Sequence, residues 1–408
     1  MKNETPLQKL NSLRKIAVFG QNRVTKISEG AGIVIFGLGR DAVSFYPLGN
    51  VRILNETIDF LYKNEISIFN NFSRKNFQNK LIDLFRKVNK EDRDFKIKDW
   101  EEFKSSLNNI PQESFRIFAP IYGVKMDTEM ISLGEFTIYH PDYLKETLHN
   151  EYPKIIKLIN QHIKFDHNYK ISVDIRAKDT EKGYELAFKL FSSFENVANF
   201  VMATFHKTKR IGIFNYLKFI NFESFILSER KLNKSSVTLE HFEEVKIDEF
   251  QALHIESARN SIWKLITSER NEIEQRILNS IEWVGKALIE QDDTKALLQY
   301  IIAIEAVLQY DEGKFIVPSI VSQLSDTIAF LLGETSKDRI YYSNEVKNLY
   351  KIRSSITHSG KGNINSLTLH TAHIFCYKIV MKLISADPFN KFKSKKELYE
   401  YLHNLKYG

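Results

Sequence analysis

Arg353 and His358 carry the two side-chain types best suited to holding negative charge and moving protons, and they stand five positions apart near the end of a helical pattern. Val346, Leu349, Tyr350 and Arg353 recur at i, i+3, i+4 and i+7, so the arginine falls on the apolar stripe of that helix. Arginine is rarely buried unless paired, so its position there implies a partner, an interface or a site. On an ideal helix His358 lies about 140° around and about 7.5 Å along from Arg353. The two need not share a face where the helix ends, and Gly360 is placed to end it as the C′ residue. An imidazole in a last turn faces the negative end of the helix dipole. Its ordinary titration lies near neutral pH, where a general acid or base works best. The same histidine could equally do no more than cap its own helix.

A second charged residue sits among apolar neighbours. Leu298, Ile301, Ile302, Glu305 and Leu308 form one stripe on a helix expected over 294–310. A lone buried carboxylate is unfavourable and needs a cation. Arg353 is the expected partner. One reading makes the pair an ion pair within a helical bundle; the other makes Glu305 the group that aims Arg353 at a phosphate, a task suited to a planar guanidinium. Ser354 follows the arginine and could bond a phosphate oxygen or merely cap the site.

The elements that position these residues form an all-helical second half. Helices are expected over 257–267, 269–290, 294–310, 318–332, 345–358 and 366–385, with a terminal helix over 395–405. Asp293 is expected as an N-cap and Pro318 as N1. Gly313, Gly333 and Gly360 stand at helix ends, and Pro388 blocks continuation. The first half reads as mixed α+β. Helices are expected over 56–63, 75–88, 98–107, 141–163 and 181–202, and strands over 32–36, 43–46, 115–123, 135–140, 171–175, 211–213, 222–227 and 236–239. The fold class is therefore α+β, with a mixed domain over 1–245 and a helical bundle over 246–408.

Composition narrows the class. Of 408 residues, 58 are basic and 51 acidic, giving a net charge of +7 that permits phosphate binding without demanding it. A single cysteine, Cys376, excludes an internal disulfide and suits a reducing cytoplasm. No apolar run approaches the ~20 residues that span a bilayer, and the start of the chain lacks the apolar region of a secretory signal. Gly37-Leu38-Gly39-Arg40-Asp41-Ala42 matches G-x-G-x-x-A, but Pro47 and Gly49 follow where a dinucleotide site needs a helix, so a turn between strands is the expectation. His370, His373 and Cys376 recur every three residues, a spacing without a recognised metal-ligand pattern, and no metal or other cofactor is expected. Lys207, Lys209 and Arg210 form a small basic cluster, and Glu240, Glu243 and Glu244 an acidic face.

Arg353 to His358 matches the R-x4-6-H signature of HEPN domains, all-helical modules that often act as RNases. Three preceding segments, Arg276–Gly285, Ala303–Leu308 and Ile328–Gly333, are similar in order to the Apea-like branch of that family, and the resemblance covers roughly residues 250–385. Where family members often carry an arginine ahead of the last of these segments, this chain has Ser325-Asp326-Thr327. The resemblance implies an HEPN-like bundle and a metal-independent endoribonuclease. It implies a two-fold dimer in which two motifs face each other, and a 2′,3′-cyclic phosphate product. Arg353, His358, Ser354 and Glu305 would be catalytic, with Lys351, Lys361 and Tyr350 against the RNA. It also implies a bacterial anti-phage or abortive-infection role, with the first half sensing a phage-derived trigger or holding the nuclease in check. The alternatives are a non-catalytic scaffold that binds RNA or a partner protein, and the toxin of a toxin–antitoxin pair.

Overall fold

The computed structural model describes residues 4–20, 33–37, 41–151, 153, 169–205, 209–214, 222–228, 231–237, 243–248, 262–310, 319–359 and 364–407. It is an α+β fold with a helical carboxy-terminal region. The chain forms two compact units, one made of residues 1–117 with 174–188, the other of 118–173 with 189–408. The second unit therefore contains all of 246–408 together with most of the segment between 118 and 245. No helix among the described residues is long and apolar enough to cross a membrane.

In the first unit α1 (Pro6–Ile16) begins at a capping box in which Thr5 and Gln8 exchange hydrogen bonds. Three short strands, β1 (Val18–Phe19), β2 (Val34–Phe36) and β3 (Val43–Phe45), pair antiparallel in the order β1-β3-β2. Helices α2 (Leu48–Asn64), α3 (Ile66–Asn71), α4 (Arg74–Lys90) and α5 (Ile97–Asn108) follow. Their apolar stripes close a core that includes Leu10, Phe45, Ile58, Phe77, Leu81, Phe85 and Trp100. The glycine-rich segment lies between β2 and β3, and its residues 38–40 are outside the described residues. Gly37 takes φ +80°, and the guanidinium of Arg86 lies against it, donating to the carbonyls of Phe36 at 2.9 Å and Asp41 at 2.8 Å. Residues 174–188 complete this unit through Asp179, whose carboxylate accepts from the backbone N–H groups of Ser73 at 2.9 Å and Lys182 at 2.8 Å. Lys178 adds bonds to the carbonyls of Leu107 and Asn108.

The second unit opens with strands. β4 (Glu113–Pro120) leads into it, β5 (Val124–Lys125) pairs with the late β11 (Val245–Lys246), and β6 (Met130–Leu133) pairs antiparallel with β7 (Phe136–Tyr139). β7 pairs on its other side with Lys170–Val173 of β8 (Lys170–Ala177). α6 (Pro141–Glu151) follows β7, and α7 (Thr180–Phe205) follows β8. β9 (Phe222–Ser228) and β10 (Lys231–Val237) form an antiparallel hairpin. Residues 211–213, expected as a strand, make one bridge among the described residues, Gly212 to Tyr122. α6 ends at Glu151, and the rest of the helix expected to 163 lies outside the described residues, apart from a turn at Pro153.

The bundle consists of α8 (Lys264–Thr267), α9 (Glu272–Leu288), α10 (Asp293–Leu308), α11 (Ile320–Leu332), α12 (Ser336–Ser359), α13 (Ser366–Ser385) and α14 (Lys395–Tyr407). α9 packs on α10, α11 on α12, α13 against α9, α10 and α11, and α14 against α11. Asp292 rather than Asp293 is the N-cap of α10, accepting from the N–H groups of Thr294 and Lys295. Ser319 and Asn365 cap α11 and α13. Pro318, Gly313 and Gly360 lie outside the described residues. Gly285 of α9 lies against Asn196 of α7 so closely that a Cβ there would stand 2.7 Å from the Asn196 backbone.

Candidate functional site on α12

α12 is one unbroken helix of 24 residues and begins at Ser336, nine residues before the start expected at Glu345. Thr335 and Asp338 start it: the Thr335 hydroxyl accepts from the Asp338 N–H at 3.2 Å, and the Asp338 carboxylate accepts from the Thr335 N–H at 3.0 Å. That Thr-x-x-Asp spacing is a capping box with aspartate in place of glutamate, and it is the legible signal for the true start.

The helix has a dry side and a wet side. Val346, Leu349 and Tyr350 are buried, as is Ile356, and Arg353 stands among them. The opposite stripe, Asn344, Lys347, Lys351, Ser354 and His358, is exposed. Because the helix continues through His358 to Ser359, the ideal-helix separation of about 140° applies. Within one chain, then, Arg353 faces the bundle and His358 faces outward.

Arg353 finds the partner expected from the sequence. Its Nη2 lies 3.4 Å from Oε1 of Glu305 on α10, with the arginine side chain 35% and the glutamate side chain 14% exposed. The same Oε1 accepts a hydrogen bond from the Tyr350 hydroxyl at 2.8 Å. The guanidinium carbon stands 5.6 Å from the centre of the Tyr350 ring. One carboxylate oxygen thus gathers a hydroxyl and a cation from positions i and i+3 of the facing helix. Burial, reinforced by the Glu305 charge, pushes the Tyr350 phenol far above its ordinary range, so it stays a donor. Tyr350, expected to contact substrate, is instead 5% exposed and belongs to this anchor.

Glu305 is also the inner wall of an open groove of ≈ 670 Å³ bounded by Gln275, Arg276, Asn279, Gln309 and Lys395. Arg276 closes the end of α10 by donating to the carbonyl oxygens of Ala306 at 2.8 Å and Gln309 at 3.3 Å, and its Nε pairs with Glu272. In the sequence Arg276 stands out only within a segment similar to the Apea-like branch. Its place in the groove depends on the α9–α10 register, which local periodicity does not specify.

Ser354 and Lys351 are exposed on the His358 side of α12, and Lys361 lies outside the described residues. The His358 imidazole has no hydrogen-bond or ion-pair partner among the described residues. His370 is exposed, whereas His373 and Cys376 are buried, and Cys376 donates weakly to the Tyr300 carbonyl. Burial pushes its thiol well above the usual range, which leaves it unreactive. Among the described residues no three acidic, histidine or cysteine side chains are grouped to hold a metal. Arg210 of the basic cluster donates to the Leu288 carbonyl at the end of α9, while Lys207 and Glu240 lie outside the described residues. Comparison of the chain with protein-family models, curated proteins and solved structures finds no match.

Proposed function

We propose that this protein is a metal-independent endoribonuclease of the HEPN type, working as a two-fold dimer. The observation that carries the reading is the Glu305–Arg353–Tyr350 anchor, with an outward His358 on the same helix. In the reaction a base takes the proton of an RNA 2′-hydroxyl, the oxygen attacks the adjacent phosphorus, and the 5′-oxygen leaves with a proton from an acid. The products are a 2′,3′-cyclic phosphate and a 5′-hydroxyl end. A guanidinium held by Glu305 offers a fixed charge to the phosphorane oxygens, which need stabilising as the bonds change. His358 supplies or accepts the proton, and Ser354 and Lys351 on the same exposed stripe bind the neighbouring phosphate.

One imidazole cannot serve as base and acid at once, and one α12 turns Arg353 and His358 apart. The dimer this reading requires is a two-fold pair that sets the His358 of one copy beside the Arg353 of the other, and a two-fold dimer is the commonest oligomer. The biological setting that accompanies this reading is anti-phage defence, with the first unit responding to a phage-derived trigger or the whole chain restrained by an antitoxin.

The purified protein is expected to cut single-stranded RNA in excess EDTA and to leave cyclic phosphate ends, and His358→Ala to lower the rate at least ~100-fold. Undiminished cleavage by that variant would sink the assignment. The divergence of Arg353 and His358 within one chain also favours a second reading, a scaffold that binds RNA without cutting it. That reading predicts wild-type affinity in His358→Ala and no new RNA ends with either protein.

A further inference from the structure

A second feature of the bundle has the chemistry of a base-binding slot. α14 carries Tyr399, His403 and Tyr407 at i, i+4 and i+8, so their rings stand one above another on a single face. Ring centres are 6.2 Å apart between Tyr399 and His403 and 4.7 Å between His403 and Tyr407, and Tyr310, just beyond α10, extends the row at 4.6 Å from Tyr399. Lysines flank both ends: Lys395 Nζ lies 5.5 Å from the Tyr310 ring centre and Lys406 Nζ 5.1 Å from that of Tyr407. His403 is exposed and Tyr407 is 68% exposed, so this row presents aromatic surface to water at a cost a purely structural stack would not need.

Tyr399, His403 and Tyr407 form one wall of a cavity of ≈ 320 Å³ between α11 and α14. The facing wall on α11 is formed by Ser322, Gln323, Asp326 and Thr327, with Phe330 as its apolar member. Asp326 is paired with Lys406 at 2.5 Å, which offsets its charge. Cavities of this size sit at the small end of ligand sites. An aromatic wall opposite hydroxyl, amide and carboxylate groups matches the two ways a protein holds an unpaired base: stacking on its face and hydrogen bonding to its edge. Lys395 lines the Glu305 groove and stands over Tyr310, whose ring meets Tyr399 of the slot, so one lysine and one ring lie between the two features.

We infer that the α11–α14 cavity binds an unpaired nucleobase of single-stranded RNA, with Lys395 and Lys406 on the flanking phosphates, and so leads the strand toward the groove at Glu305. The slot as a feeder of substrate rests on the ribonuclease reading; the slot as a binding site does not. Duplex RNA is excluded, since its bases are already stacked and paired.

The test uses the full chain carrying His358→Ala, so that RNA stays intact, and fluorescence anisotropy with a short labelled oligoadenylate. Adding His403→Leu and Tyr407→Leu keeps helix-forming apolar side chains but removes the rings, and is expected to weaken binding by about tenfold or more, with an unchanged circular dichroism spectrum. The same oligonucleotide in a duplex is expected to bind more weakly than the free strand. Unchanged affinity of the ring-less variant for the single strand overturns the inference. So does a change in its elution volume without a change in affinity, which would make this face a contact between copies or with another protein. If the variant misfolds, photocrosslinking of thiouridine-labelled RNA to the otherwise unaltered His358→Ala chain decides: adducts within 399–407 support the slot, and adducts confined elsewhere refute it. Ring-dependent binding without cleavage by wild type removes the nuclease alone, and cleavage with ring-independent binding removes the slot alone.

Discussion

At the scale of single residues the candidate site turns on one oxygen. Oε1 of Glu305 accepts from the Tyr350 hydroxyl and pairs with Arg353, so the carboxylate is a hinge between α10 and α12. Tyr350→Phe keeps the ring and removes only the donor. Hydrogen bonds to charged groups contribute about 1.5–3 kcal/mol, so the variant is expected to lose roughly that much in urea unfolding. A Tyr350 that merely packed would show no loss. Glu305 and Arg353 were legible as a pair because each broke an apolar stripe, and such a break has few remedies. Tyr350 was not legible as the third member, since a tyrosine on an apolar stripe breaks no rule. The same scale governs acid sensitivity in the first unit. Arg93 bonds both oxygens of Asp99, at 2.6 and 2.7 Å, and holds that carboxyl down at about 2, against about 3.9 for an unfolded aspartate. A depressed native value adds stability that is complete above the unfolded value and is lost as pH falls toward the native one. Wild type is therefore expected to lose more stability than Asp99→Asn between about pH 5 and about pH 2, measured by denaturant midpoints; parallel losses would show that the pair does not matter.

At the scale of elements the helices of the bundle were the most legible part of the chain, because capping residues and a 3.6-residue period act locally. The 366–385 helix matches its expected bounds, and Asn365 supplies the cap. The 345–358 helix was cut short because Ile340, Tyr341 and Tyr342 follow one another without helical spacing, two of them exposed. Helix–helix approach left a fainter trace. Gly285 interrupts a helix otherwise rich in good formers, and only the facing Asn196 explains it. Gly285→Ala raises intrinsic helix propensity by about 1 kcal/mol, yet its methyl would meet the Asn196 backbone at 2.7 Å. Overpacking of that kind costs about 1–3 kcal/mol, so the net expectation is a lower melting temperature. A higher one would mean that α7 and α9 can move apart freely. Strands were read less well. Residues 211–213 alternate like a strand but serve as acceptors and donors for Asn199 and Glu195, whose buried side chains take the place of a sheet neighbour.

At the scale of the whole molecule the sequence suggested two successive halves, while the first unit is discontinuous. No local pattern could show that, since the return of 174–188 is written in long-range bonds: Asp179 to Ser73, Lys178 to Leu107, Lys182 to the Phe69 carbonyl. The ordering of synthesis follows from it. A ribosome delivers residue 117 about 70 residues before residue 188, roughly 4–14 s earlier at about 5–20 residues per second. Through that interval the amino-terminal helices lack the segment whose aspartate and lysines tie them together. The segment that ties the first unit together arrives only after residues 118–173 of the second have been made.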